Sequence, residues 1–146
     1  MTATVEPLGA PTPDDLDDVV DLIRTLGYSL DRDDLSSRLA RLTPEAGHET
    51  WVVRDSAGRV SAVAGAHVMW AYNADRPTAQ LLLLVVRTDV RRDGLGSQLL
   101  THFEEWAHGH GALALSAVSA AATDSAHRFY QKRGYHESGT RYTKLG

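Results

Sequence analysis

No cysteine occurs among the 146 residues. That excludes disulfides, zinc–thiolate sites, iron–sulfur clusters and a cysteine nucleophile together. A basic excess is missing too. The 15 Lys and Arg face 19 Asp and Glu, a net charge of −4, which speaks against a dedicated nucleic-acid binder. The longest apolar run, Leu81 to Val86, is far short of the roughly 20 residues that a membrane-crossing helix needs. Met1 to Ala10 carries neither the basic segment nor the apolar stretch of a signal peptide. A cytoplasmic protein with no membrane partner is therefore expected. What is present is ordinary for a globular domain. Apolar residues make up 42% and charged residues 23%, which argues against disorder, and the length fits one domain able to bury a core unaided.

Periodicity predicts a mixed α/β sheet. Thr12-Pro13-Asp14-Asp15 reads as a helix start, with Thr12 as cap, Pro13 at the first helical position and acids at the positive end. Leu16, Val19, Val20, Ile23 and Leu26 then recur at helical spacing, and Gly27 can end the helix. A second short helix is expected from about Asp31. Strands are expected over Glu49–Asp55, Arg59–Tyr72 and Ala79–Arg87, with Gly65 marking a bend or bulge in the second. A helix carrying Leu95, Leu99, Phe103, Trp106 and Ala107 inward follows, then a strand over Ala112–Ser119, a helix over Ala126–Lys132 and a last strand over Gly139–Leu145. The second half thus holds a βαβ unit.

Two segments carry chemistry. The first is the apolar run ending at Val86, followed by Arg91-Arg92-Asp93-Gly94-Leu95-Gly96-Ser97. A strand that leads through a glycine-bearing loop into a helix offers unpaired amides and a partial positive charge to a phosphate. Glycine at 94 and 96 lets backbone approach closely, and Arg91 and Arg92 add charge. The loop lacks the Gly-Lys-Ser/Thr of a P-loop and the third glycine of a dinucleotide fingerprint. Taken alone, it is equally a tight turn with a solvated arginine pair. The second segment is Ala126-His127-Arg128-Phe129-Tyr130-Gln131-Lys132-Arg133-Gly134-Tyr135. Neighbouring Phe129 and Tyr130 point about 100° apart on a helix, so one can anchor the core while the other reaches a cleft. A tyrosine phenol can give a proton to a leaving thiolate. Taken alone, the pair is more simply an ordinary aromatic helix–sheet contact.

In this order and separation the two segments resemble the GNAT superfamily of acyl-CoA N-acyltransferases. Arg91-x-x-Gly94-x-Gly96 is similar to its pyrophosphate loop, and Ala126-x-x-Phe129-Tyr130-x-x-x-Gly134-Tyr135 to the helix and turn that complete its acyl-CoA site. Gly65-Ala66-His67, Ala126–Tyr130 and the ending Arg141-Tyr142-Thr143-Lys144 are similar to the aminoalkylphosphonate N-acetyltransferase branch. The resemblance implies one GNAT N-acetyltransferase domain over 1–146, with a mostly antiparallel central sheet, a splayed parallel strand pair and flanking helices. It implies acetyl-CoA as co-substrate, pantetheine along the backbone of Leu84, Val85 and Val86, and pyrophosphate on the amides of Arg91 to Ser97. It further implies Tyr130 as general acid, an oxyanion held by a backbone N–H near Val85, and a small-molecule or protein amine that attacks directly. A homodimer is also implied. An acyl-CoA-binding sensor with little catalysis is the alternative.

Three positions depart from the family pattern. Where many relatives place a basic glutamate, this chain has Gln80, which takes no proton near neutral pH, and Leu83 nearby cannot serve either. His67 is the expected replacement, because an imidazole titrates near neutrality; Glu49 and Asp75 are further candidates. Asp93 stands inside the phosphate loop, so its carboxylate should point outward or cap the following helix. Thr123 takes the place of an asparagine that contacts the cofactor. His102, His108 and His110 are expected to bind no metal, since no carboxylate stands at a ligand spacing. The acids of Asp14 to Asp18 read as a helix charge bias or, secondarily, as a rim for a cationic amine. Arg76 or Arg141 could meet an anionic acceptor.

Overall fold

The computed structural model describes residues 3–118, 124–139 and 141–146. Strand β1 (Val5–Pro7) is followed by helices α1 (Pro13–Arg24) and α2 (Arg32–Leu39), then β2 (His48–Arg54), β3 (Val60–Met69) and β4 (Thr78–Val86). Helix α3 (Leu95–Gly109), β5 (Ala114–Ala117) and α4 (Asp124–Gln131) complete the described elements. The five strands lie in chain order in one sheet. The first three pairings are antiparallel and β4–β5 is parallel.

Both early helices start as the sequence predicts. Thr12 and Asp15 exchange hydrogen bonds of 3.1 and 3.0 Å across the first turn of α1, and Asp31 and Asp34 do the same for α2. Each box satisfies amides that a helix start otherwise leaves open. The sheet separates two apolar layers. On one face Trp51, Ala64 and Leu81 pack against Leu99 and Phe103 of α3. On the other Val52, Val63 and Val85 pack against Val19 and Val20 of α1 and Leu35 of α2. The expected inward residues of α3 are there, with Trp106 half-buried.

Two features of β4 shape the site. The pairing with β3 slips between Gly65 and Ala66, so Leu82 of β4 is an extra residue. This bulge sits at the glycine where a bend was expected. It also reverses the side-chain parity of β4: Ala79 and Leu81 before it, but Leu84 and Val86 after it, share the layer of α3. Second, the described ladder with β5 covers only Thr78 to Leu81. The remaining half of β4 runs on past β5.

Three expectations need correction. The second long strand stops at Met69, and Trp70 and Tyr72 beyond it are exposed. The strand after α3 is shorter than expected, Ala114–Ala117. Residues 141–146 form no strand. Tyr142 and Leu145 are both about nine-tenths exposed, so pairing there would bury no side chain.

Candidate active site

The loop after β4 winds through a short 3-10 segment, Thr88–Asp93, and enters α3 at Gly94. Gly94 has φ +75°, a left-handed conformation that favours glycine. Among the described residues no side chain caps this helix start, in contrast to α1 and α2. Its first amides are therefore open to an external acceptor. Arg91 folds back, its Nε donating to the Val86 carbonyl at 3.4 Å. Asp93 is exposed and caps nothing, so the outward alternative holds and the capping alternative does not. Thr123 and the side chain of Arg92 lie outside the described residues.

Gly96, expected to let a phosphate approach closely, also adjoins helix α4. A Cβ placed there would lie 3.6 Å from the Phe129 ring and 3.8 Å from Val86. Phe129 thus packs beside Gly96 at an ordinary contact distance, and α4 docks there on the first turn of α3. Arg133 strengthens the same joint. Its guanidinium lies 4.0 Å from the Phe129 ring centroid, one nitrogen donates to the Phe129 carbonyl at 2.9 Å, and another donates to the Ser97 hydroxyl. Nothing in the sequence spacing marks Arg133, because its partner is 36 residues away.

Tyr130 follows Phe129, with the rings 5.1 Å apart and edge to face. It lines an open cleft of about 1040 Å³ beside β5, together with Gln80, Ser116 and Arg141. Burial raises the phenol above its ordinary range, so the hydroxyl keeps its proton at neutral pH. The turn behind it is fixed. Tyr135 N–H reaches the Tyr130 carbonyl at 3.1 Å and Gly134 N–H reaches the Gln131 carbonyl at 3.1 Å, a Schellman pair with Gly134 at positive φ. The Tyr135 hydroxyl donates to Glu104 of α3 at 2.9 Å. Burial, then this carboxylate, pushes the Tyr135 phenol well up as well.

The base candidates form one row across the sheet. His48 of β2 stands opposite His67 of β3, His67 opposite Gln80 of β4, and Gln80 opposite Ser116 of β5. His67 Nε2 and Gln80 Oε1 are 2.8 Å apart. With the amide oxygen accepting, Nε2 is the donor, and the neutral ring keeps its lone pair on Nδ1. The His48 ring stacks on His67 at 5.2 Å. Burial, and then the neighbouring imidazole, lower the His48 value. Sequence reasoning missed His48, which begins its strand one residue earlier than expected. Glu49 stands in the next row, opposite Ala66, and Asp75 is exposed on the loop before β4.

Other candidates are engaged elsewhere. Asp15 pairs with Arg54 and Asp18 with Arg59, each at 2.6 Å, and Asp17 pairs with Arg32. These acids hold the fold together and are not a free rim for a cation. Arg76 donates to the carbonyls of Gly111 and Ala112. His102 meets Trp51 edge-on, and His110 packs on Trp106. Among the described residues no group of three His, Asp or Glu could hold a metal.

The sequence model of the acetyltransferase (GNAT) family matches residues 16–135. The chain belongs to the GNAT acetyltransferase family. It is an acetyltransferase with the mixed α/β GNAT fold. Over 138 residues, 91% of this chain and 86% of the relative, it is 31% identical to the aminoalkylphosphonate N-acetyltransferase of Salmonella typhimurium strain LT2. Its fold is similar to that of a GNAT family acetyltransferase from Staphylococcus aureus, with TM-score 0.81, 20% identity and 99% of each chain covered. It is also similar to that of an aminoglycoside antibiotic 6'-N-acetyltransferase from Acinetobacter baumannii, with TM-score 0.80, 20% identity and 99% of each chain covered. GNAT acetyltransferases generally use acetyl-CoA as co-substrate, and the uncapped start of α3 beside Arg91 suits its phosphates.

Proposed function

We propose that residues 1–146 form one N-acetyltransferase domain that moves the acetyl group of acetyl-CoA to a primary amine by direct attack in a ternary complex. The observation that carries this reading is the contact of Phe129 with Gly96, which joins the open start of α3 to the helix bearing Tyr130. Acetyl-CoA supplies an activated thioester. The amides of residues 94–97, with Arg91, hold its pyrophosphate. The half of β4 beyond the β5 ladder, Leu84 to Val86, offers backbone to the pantetheine arm, and a backbone N–H near Val85 faces the developing oxyanion. Tyr130 gives its proton to the departing sulfur, a role that its raised phenol suits. His67 takes the proton of the amine on Nδ1, while Gln80 holds Nε2. The absence of cysteine fits direct transfer, since no thiol can carry an acyl group. A cytoplasmic location and a homodimer belong to the same reading, and light scattering on the purified chain tests the second.

Release of free thiol from acetyl-CoA, measured against a panel of amines, tests the proposal. Turnover with at least one primary amine is expected. Tight acetyl-CoA binding with no release for any amine would replace catalysis with the sensor alternative. In His67→Ala the acidic limb of the pH–rate profile should shift or vanish; an unmoved limb would make His67 structural.

A further inference from the structure

A second cavity, of about 140 Å³, lies on the opposite side of the sheet from α3. Val19 and Ile23 of α1, Leu35 and Leu39 of α2, and Val63 and Leu83 of the sheet enclose it. The lining is almost all carbon. Gly65 makes the hollow. It shares the strand parity of Val63, and a Cβ there would meet only Leu83 at 3.7 Å and the Glu49 carbonyl at 4.0 Å. Any larger side chain would extend into the space. Protein interiors seldom keep such a void, and filling one recovers stability. The hollow is also open. Leu42 and Leu82 line it, at 38% and 41% exposure. Leu82 is the bulge residue, one position beyond the end of the β4–β5 ladder. The mouth thus adjoins the stretch of β4 that offers its backbone to the thioester arm.

Size and chemistry narrow the occupant. An apolar cavity of roughly 150 Å³ accepts benzene. Phosphonate needs several donors, and among the described residues Arg38, on the exposed side of α2, is the one lysine or arginine at this cavity. A polycation needs carboxylates, and Asp15, Asp17 and Asp18 of α1 are already paired with arginines. Glu49 also lines the hollow, with its carbonyl 4.0 Å from a Cβ placed at Gly65, but its side chain stands on the parity of Trp51, which belongs to the other core layer. His48 and Thr50 also line the hollow.

We propose that the acceptor is a primary amine bearing a hydrocarbon group about the size of benzene, seated between α1, α2 and the sheet, with its amine at the Leu82 mouth. This rests on the N-acetyltransferase reading and departs from the phosphonate named for the Salmonella relative. The test is steady-state transfer to phenethylamine, ethylamine, 2-aminoethylphosphonate and spermidine. For phenethylamine, kcat/KM should exceed that of each of the others by at least about 10-fold. In Gly65→Leu the preference for phenethylamine over ethylamine should collapse toward one, with acetyl-CoA binding showing that the variant is folded. Leu39→Trp, which fills the hollow from the helix side, should act alike. If 2-aminoethylphosphonate or spermidine is the better acceptor, or if both filled variants keep the preference, this inference falls and the acetyltransferase reading stands. If no amine is acetylated while acetyl-CoA binds, both fall.

Discussion

The amino-terminal and carboxyl-terminal halves treat their polar groups in opposite ways. Helices α1 and α2 close their own starts with reciprocal boxes. Asp17, Asp15 and Asp18 of α1 are met by Arg32, Arg54 and Arg59. Among the described residues helix α3 has no side-chain cap, and half of β4 lies beyond the described ladder with β5. Polar groups satisfied internally contribute to stability. Polar groups left open at an ordered position are where a ligand can add its own contacts. Substitutions in the first half should therefore cost folding, and those in the second should cost binding or turnover.

The largest effect should be on turnover. Tyr130→Phe should lower kcat on the order of 10²-fold with acetyl-CoA affinity little changed, read by steady-state kinetics beside calorimetry. An unchanged kcat would take Tyr130 out of the acid role. Next comes a loss of stability with the site intact. Asp15→Ala removes both half of the α1 box and one of the two carboxylates paired with Arg54, and should cost about 2–3 kcal/mol by denaturant melts.

The same acids set an acid limit. Hydrogen bonds from Arg54 and Arg59 hold Asp15 and Asp18 below the ordinary 3.8. The unfolded chain then takes up protons first as pH falls. Their contribution is full above 3.8 and drains away below it, so thermal midpoints should fall in that range, and less steeply in Asp15→Ala. A midpoint equally flat in both proteins would mean that these pairs do not set the limit.

Smaller effects separate packing from ligand approach at the joint of α3 and α4. Gly96→Ala should be tolerated, because its Cβ meets Phe129 at an ordinary distance. Gly96→Val should crowd the ring and weaken acetyl-CoA binding roughly 10-fold. Equal affinity in the valine variant would separate the joint from cofactor binding. Smallest of all, Arg133→Ala should weaken acetyl-CoA binding only about two- to five-fold, since its stacking and hydrogen bonds lie at the surface.

Much of the fold is legible in the sequence where the signal is local. Thr12-Pro13, the inward residues of α3, the bend at Gly65 and the loop into Gly94 each depend on spacing within a few residues. What is not legible depends on register or on long-range contact. The row of His48, His67 and Gln80 exists only once three strands are aligned. The contact of Phe129 with Gly96 joins positions 33 residues apart, which the spacing of the phosphate loop does not show. The expected last strand fails for a related reason. Arg141-Tyr142-Thr143 has strand-forming residues, yet strand propensity reflects burial that this segment does not find.

The most direct measurement compares acetyl-CoA with S-acetylpantetheine, which lacks the pyrophosphate, by calorimetric titration of the purified chain. If the open start of α3 holds the pyrophosphate, acetyl-CoA should bind in the micromolar range and S-acetylpantetheine roughly 10²-fold more weakly. Equal affinities, or no binding of either, would contradict the assignment of that helix start.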